Sequence, residues 1–450
     1  MNKVQENGRF AVGYSRKVVN PPQGVGLGGF GNTESRLSDQ ILDDLCVTCV
    51  ALSDGEEKVL LYTADFLGVS KTNHRIVSEM VEKHLGIPPQ NVFINTIHNH
   101  SAPQVREDVP SLKKYMPIFY DGMLKAAQDA VADLTEAEMY VGAVRAENGN
   151  FIRRYFREDG SFTGVNFNTK NPSPVVRHET EADREMQVIR FARKDKKDVV
   201  MVNFQCHVTN TSGLKKTDVS ADFVGAFRDA AEKDLGALFA YYQGAAGNLV
   251  PTSRLEGEKG INKSHVEHGQ KLAAFLKEAM PGLKKANTGK IKVITEDFFG
   301  HYETDTTGFS LEEAQEISDA FHAGDTEKVK ELCLKYGYHS FYHARGILSR
   351  SKLEEGAGAK INIGALSIGD VAFVFGPYEM FDTNGMQIKE ASPFERTFIC
   401  AYTNAAFGYI PSAIAFRNGG YEIDGCSFRA GLGEELVEEY LKMLRELKKA

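Results

Sequence analysis

The chain has no tryptophan and only six cysteines in 450 residues. So few cysteines exclude a disulfide-stapled scaffold. Cys46 and Cys49 form a C-x-x-C, but they sit in the strand-like run Leu45 to Leu52, where residues three apart point to opposite faces. Two buried core thiols are therefore the expectation. No apolar run approaches the roughly 20 residues that a membrane-spanning helix needs, so stable membrane insertion is not expected. The opening Met1 to Phe10 lacks the apolar core of a signal peptide, and a cytoplasmic location is the expectation. A net basic surface is not indicated either. The formal net charge is -8, and the basic runs (Lys194, Lys196 and Lys197; Lys448 and Lys449) are short. They read as a solvated turn and a helix end, and a nucleic-acid partner is not expected.

What remains is an ordinary globular balance, 42% hydrophobic and 25% charged, with 28 Phe and 17 Tyr to fill a core in place of tryptophan. The pattern alternates strand and helix. Strands are expected at Lys58 to Val69, Asn91 to Ile97, Met139 to Val144, Leu238 to Gln243 and Arg396 to Tyr402. Glu185 to Phe191 and Val199 to Val208 read as a hairpin, and Ile361 to Phe375 as two strands around Gly369. Helices are expected at Thr72 to Leu85, Met116 to Leu134, Ala221 to Leu235, Lys263 to Leu283 and from Glu434 onward. Asp222 is expected to cap the third of these. Ser310 with Glu313 is a capping-box signature. Thr326 to Tyr336 completes an αα-hairpin within a helical insertion at about 301–355. Such alternation implies an α/β class with mixed β-sheets packed with helices. No repeat or Pro/Ser-rich linker divides 1–450, so a single domain is expected.

Chemistry-bearing residues recur where strands end. Asn91 to Ile97 runs into His98-Asn99-His100. In extended backbone the two imidazoles would share a face, at the carboxyl end where α/β proteins place ligands. The run Val199 to Cys206 ends at His207, followed by the polar Thr209 to Gly213. The run Phe373 to Phe375 breaks at Gly376-Pro377 and presents Glu379, which is also suited to a helix N-terminus. Two imidazoles and a carboxylate match a catalytic zinc set with an open position, although spacing alone does not show convergence. Other histidines carry less. His265 and His268 lie one helical turn apart on what reads as a polar surface helix, and His339 and His343 fall in or beside the Tyr-rich stretch Tyr336 to Tyr342.

Taken together these segments resemble the catalytic domain of the neutral/alkaline, non-lysosomal ceramidase family. The resemblance is carried by Asn20-Pro21-Pro22, Gly28-Gly29-Phe30-Gly31, Asp65-Phe66-Leu67-Gly68 and the Asn95 to Pro103 segment NTIHNHSAP. It continues through Asn203 to His207, Ser220 to Gly225, Gln243 to Asn248, Gly376 to Glu379, Gly408 to Ser412 and Gly419 to Glu422. It implies a ceramidase-like fold and a Zn2+ held by His98, His207, Glu379 and Tyr409. His100 and Tyr421 then match residues that contact substrate, and Arg153 matches a site arginine, with Arg154 the alternative. The implied activity is zinc-dependent hydrolysis of a linear amide, with His100 and Tyr409 serving the oxyanion and the leaving amine. Departures are visible too. The family's Gly-Asp-Val-Ser-Pro element reads Gly247-Asn248-Leu249-Val250-Pro251 here, and the C-terminal β-sandwich domain is not matched. They favour a small, soluble N-acyl substrate over ceramide. Ceramide hydrolysis, a zinc esterase or deacetylase, and a non-catalytic binding relative remain as alternatives, and the oligomeric state stays open.

Overall fold

The structure, a computed structural model, describes residues 10–30, 33–165, 171–210 and 215–449. The segment before Phe10, Gly31 and the run Thr211 to Gly213 singled out above lie outside these residues. Two mixed sheets form the scaffold. In the larger, the strand order is Leu238–Gln243, Val199–Phe204, Glu185–Arg193, Thr135–Arg145, Ala11–Val18, Cys46–Ser53, Lys58–Ala64 and Val92–Thr96. The short Lys284–Ala286 strand also pairs with Thr135–Arg145. The smaller runs Ile291–His301, Gly358–Ile368, Val371–Phe375 and Arg396–Cys400. The expected α/β class with mixed sheets is what is found.

Most strand pairs are antiparallel, and short connections make hairpins of four: Cys46–Ser53 with Lys58–Ala64, Tyr155–Arg157 with Phe162–Thr163, Glu185–Arg193 with Val199–Phe204, and Gly358–Ile368 with Val371–Phe375. The parallel ones position the site. Lys58–Ala64 pairs parallel with Val92–Thr96, Val199–Phe204 with Leu238–Gln243, and Val371–Phe375 with Arg396–Cys400. A parallel pair needs a crossover, and each has its helix: Lys71–Leu85, Asp222–Leu235 and Asp382–Ala391. Local signals set the helix ends. Ser70 accepts from the Asn73 amide, and Gly86 closes the same helix in the left-handed region at φ 69°. Asp222 opens its helix at φ 56°, its carboxylate taking the next amide, that of Phe223.

The two sheets pack face to face. Val12, Val50, Leu61, Phe93 and Ile189 of the larger meet Leu366, Phe373, Phe375 and Phe398 of the smaller, and Phe93 stacks on Phe375 at 3.9 Å. Helices cover both outer faces. On the smaller sheet, Leu432–Lys449 buries Leu436, Val437, Tyr440, Met443, Leu444 and Leu447 on one stripe, as a 3.6-residue period requires. All six cysteines are buried and free, Cys46 and Cys49 included.

Two expectations need correction. The region around 301–355 holds three helices, Leu311–His322, Thr326–Tyr336 and Phe341–Arg350, with a hydrophobic cluster of their own. The third begins in the Tyr-rich stretch, where Ser340 caps it by accepting from the His343 amide. His268 is not on a polar surface. It is fully buried where His265–Ala279 packs inward, and its Nε2 bonds the Gly149 carbonyl at 2.7 Å.

Candidate active site

The carboxyl ends of the three parallel units meet. Two buried asparagines stitch them together. Asn95 accepts the Gln243 amide at 2.8 Å and donates to the Ala401 carbonyl. Asn203 donates to the Tyr242 and Ile399 carbonyls at 3.0 and 2.9 Å and accepts the Ile399 amide at 3.1 Å. Gln243 then ties two loops together, its Nε2 donating to the Ile97 carbonyl at 2.8 Å and the Cys206 carbonyl at 2.7 Å. Those carbonyls immediately precede His98 and His207. Fully bonded buried amides of this kind fix geometry, because any one left unpaired is costly.

His98, His207 and Glu379 converge there. Their relative positions are set by hydrogen bonds on the far side of each ring. His98 Nδ1 bonds the Leu67 carbonyl at 3.0 Å and His207 Nδ1 bonds the Ala246 carbonyl at 2.7 Å. A carbonyl only accepts, so each Nδ1 carries the hydrogen, and the neutral form of each ring turns an Nε2 lone pair inward. Both lone pairs face Glu379 Oε2, at 3.2 Å from His98 and 3.5 Å from His207. The two rings stand at 90° with centroids 4.7 Å apart. Three acceptor atoms facing one another need a cation between them, either a proton or a metal ion. Ligand atoms 2.0–2.2 Å from a tetrahedral zinc lie about 3.3–3.6 Å apart, so these separations fit the edges of a zinc coordination shell. Burial, then the nearby Arg153 charge, lowers the His207 pKa to about 4. Burial works to raise the Glu379 carboxyl, but the imidazoles of His98 and His207 outweigh it and hold it well below its usual range. His207 and Glu379 are therefore in their metal-binding protonation states near neutrality.

His100 joins the same pocket, though not by extended backbone. His98 sits at φ 62°, a left-handed conformation uncommon outside glycine. That bend, rather than a shared strand face, brings the His98 and His100 rings to 4.8 Å. Neither His100 nitrogen has a hydrogen-bond partner among the described residues. Burial, then His98 and His207, holds its pKa well below the usual value. Gly29, at φ 102°, leaves room for this ring, because a Cβ there would collide with it.

Tyr409 enters from a two-residue parallel pairing in which Glu379 and Tyr409 are register partners. Gly247 permits this approach, since a Cβ would strike the Glu379 carbonyl. Burial, reinforced by Glu379, raises the Tyr409 pKa far above 10, so the phenol keeps its proton. Arg153, not Arg154, faces the cluster. Its Nη2 donates to Tyr409 Oη at 3.0 Å and to the Gly247 carbonyl at 2.9 Å, and Nη1 lies 3.3 Å from His207 Nε2. Arg154 turns away to Glu179 and to the carbonyls of Ala415 and Gly419. Glu422 holds both, at 2.6 Å from Arg153 Nε and 2.9 Å from Arg154 Nη1. Tyr421 packs on Tyr409 at 5.7 Å and on Tyr342 of the third insertion helix at 4.9 Å. Burial, partly offset by Arg153, raises its pKa to about 12.

Comparison with solved structures places the fold. The neutral ceramidase from Pseudomonas aeruginosa superposes with a TM-score of 0.74 at 16% identity, over 99% of this chain and 75% of that one. A ceramidase solved in complex with C2 matches with a TM-score of 0.72, also at 16% identity, over 98% of this chain and 75% of that one. The fold is that of neutral ceramidase. No family model matches the chain, and no curated protein matches it in sequence.

On the neutral ceramidase fold, the motif pieces that carried the resemblance have assigned places. Asp65 to Gly68 supplies the Leu67 carbonyl behind His98, and Gln243 to Asn248 supplies the Ala246 carbonyl behind His207. Asn248 is tied to Asp382. Its amide bridges the Asp382 carboxylate at 2.7 Å and accepts the Asp382 amide at 3.0 Å, pinning the start of the third crossover helix. The residue sequence reasoning missed is Tyr402. It follows the Arg396–Cys400 strand at φ 56°, its ring lies 4.3 Å from His98, and its buried hydroxyl has no partner among the described residues. The same strand-end rule that found His98, His207 and Glu379 would have found it.

Proposed function

We propose that the chain is a zinc-dependent hydrolase that cleaves the amide bond of a small N-acyl compound. The observation that carries this reading is the convergence of His98 Nε2, His207 Nε2 and Glu379 Oε2 at zinc-shell distances, with both histidines locked in the ligating tautomer. These three would hold the ion, with Tyr409 as the fourth contact. Zinc supplies Lewis acidity, lowering the pKa of water toward about 7 and polarising a carbonyl.

The remaining chemistry belongs to the chain's own groups. Tyr409 Oη accepts a hydrogen bond from Arg153, so its own O–H points elsewhere. It is placed to donate to an amide oxygen as charge develops there. Arg153 holds that phenol in position and is itself fixed by Glu422. His100 is neutral, with one nitrogen that donates and one that accepts. That equips it to take a proton from water and return one to the departing amine. His98 and His207 are almost wholly buried, which strengthens each of these interactions by excluding bulk water.

The test is zinc reconstitution with metal analysis, then a turnover screen against N-acylated amines, amino acids and sugars. The expected result is bound zinc and hydrolysis that disappears in His98→Ala. A protein that takes up no zinc, or hydrolysis that persists unchanged in the variant, would overturn the reading. Hydrolysis of ceramide itself is the second reading, supported by the two ceramidases that share the fold. Turnover of detergent-solubilised ceramide in preference to soluble amides would decide for it.

A further inference from the structure

A cavity of about 320 Å3 opens beside the cluster. Arg153 forms one wall, and Thr209, two residues past His207, forms another. The charges around it have one sign. Arg153, Arg254 and Lys263 line it, and no carboxylate does among the described lining residues. This reverses the sign of the molecule as a whole, which carries a net charge of -8. Arg153 is neutralised by Glu422 at 2.6 Å. Arg254 is not so matched: its guanidinium bonds the Gly164 carbonyl at 3.3 Å and lies 6.0 Å from the Tyr155 ring centre, and no carboxylate pairs with it among the described residues. Lys263 likewise has no ion pair among the described residues. Asn210 and Ser253 add polar groups to the lining.

We propose that this cavity selects substrates that carry an anionic group close to the scissile amide. The inference rests on the amidase reading and narrows its substrate. Two unmatched cations in a partly enclosed cavity focus field on whatever enters, and a carboxylate there makes charge-assisted hydrogen bonds that a neutral group cannot. An uncharged lipid gains nothing from either cation. The volume sits at the low end for ligand pockets, about 300–1,000 Å3, which suits a group of amino-acid size and not a long alkyl chain. The anion can sit on the amine side, as in an N-acyl amino acid, or on the acyl side, as in an N-succinyl amine. Both present the same chemistry to Arg254 and Lys263.

Matched probes test it on the zinc-loaded protein. N-acylglycines are compared with the corresponding glycinamides for the amine side, and N-succinyl with N-butanoyl ethylamine for the acyl side. The anionic member of one pair is expected to show at least about tenfold higher kcat/KM, carried by KM, in line with a hydrogen bond to a charged group. Arg254→Gln and Lys263→Gln should each cut that anionic-over-neutral ratio several-fold. Both side chains are exposed, so folding is not at stake. Calorimetric titration with N-acetylglycine and N-acetylglycinamide gives a readout independent of turnover. The anion should bind more tightly, weaken with added salt, and lose its advantage in the double variant. Equal handling of charged and neutral probes, or a double variant that keeps the preference, would overturn the inference while leaving the amidase intact. If no amide is turned over, the amidase reading falls and the titration still decides the cavity.

Discussion

Among the described residues there are two places where histidines and a carboxylate gather. His98, His100 and His207 lie beside Glu379, and His339, His343 and Asp424 lie where the helical insertion meets the short Tyr421–Asp424 helix. In both, the ligand atoms fall within 4.8 Å of one another. They differ in how the rings are held. In the first, backbone carbonyls take both Nδ1 hydrogens and the His98 and His207 rings stand at 90°. In the second, the His339 and His343 rings lie nearly parallel, 27° apart. His343 Nδ1 faces the His339 amide at 3.4 Å, and the His339 side chain is 39% exposed. An imidazole lone pair lies in its ring plane, so two stacked rings cannot both aim at a point 2 Å from each. The contrast teaches that the two clusters differ in orientation by second partners more than in composition, which is what a metal ligand set depends on.

The largest expected effect falls on the first cluster. His98→Ala or His207→Ala should abolish stoichiometric zinc binding and lower kcat/KM by about a thousandfold or more, because loss of the ion removes several kcal/mol of charge stabilisation. Metal analysis and steady-state kinetics on the same preparations check this. Next comes the support behind the site. Arg153→Met leaves Glu422 buried with only Arg154, and breaking such a pair costs about 3 kcal/mol. Urea denaturation should show that loss alongside a fall in kcat. A smaller effect is pH-dependent. The folded pKa of His207 is about 4, below the unfolded value of about 6.5. The unfolded chain therefore binds more protons below pH 6.5. Stability from this residue is complete above pH 6.5 and is lost as pH falls toward 4. Thermal melts of the metal-free protein across that window should show the decline, and His207→Gln should flatten it.

The comparison also shows what a sequence reveals. His98, His207 and Glu379 were legible because each follows a run of buried apolar residues, and strand ends are where α/β folds present chemistry. The helices Thr72 to Leu85 and Ala221 to Leu235 were legible from periodicity, whereas Asp382–Ala391 and the parallel pairing of the strands were not. Nor were less local facts. The choice between Arg153 and Arg154 is made by distant partners, Tyr409 for Arg153 and the Ala415 and Gly419 carbonyls for Arg154, more than 250 residues away. The left-handed bend at His98 has no signature in its own residue type, since it is enforced by the Leu67 carbonyl and by Gln243 on the preceding residue. His268 looked like a surface residue because its partner, the Gly149 carbonyl, lies 119 positions away. In each case the deciding contact is tertiary, and periodicity carries no information about it.

The smallest expected effect is the one that most sharpens the contrast. If orientation decides, removing His343 should not change the zinc content of the reconstituted protein, which stays near one equivalent, and kcat/KM should remain within a few-fold. Some change is expected because His343 is buried against Phe309 and Tyr338 at 4.7 and 5.2 Å. Truncating it loosens the insertion, which reaches the site through Tyr342 on Tyr421. His343→Phe refills that volume and should restore the activity that His343→Ala loses. A second equivalent of zinc in the parent protein, lost in both variants, would mean that near-parallel rings suffice after all. The distinction between the two clusters would then have to rest on burial and charge instead.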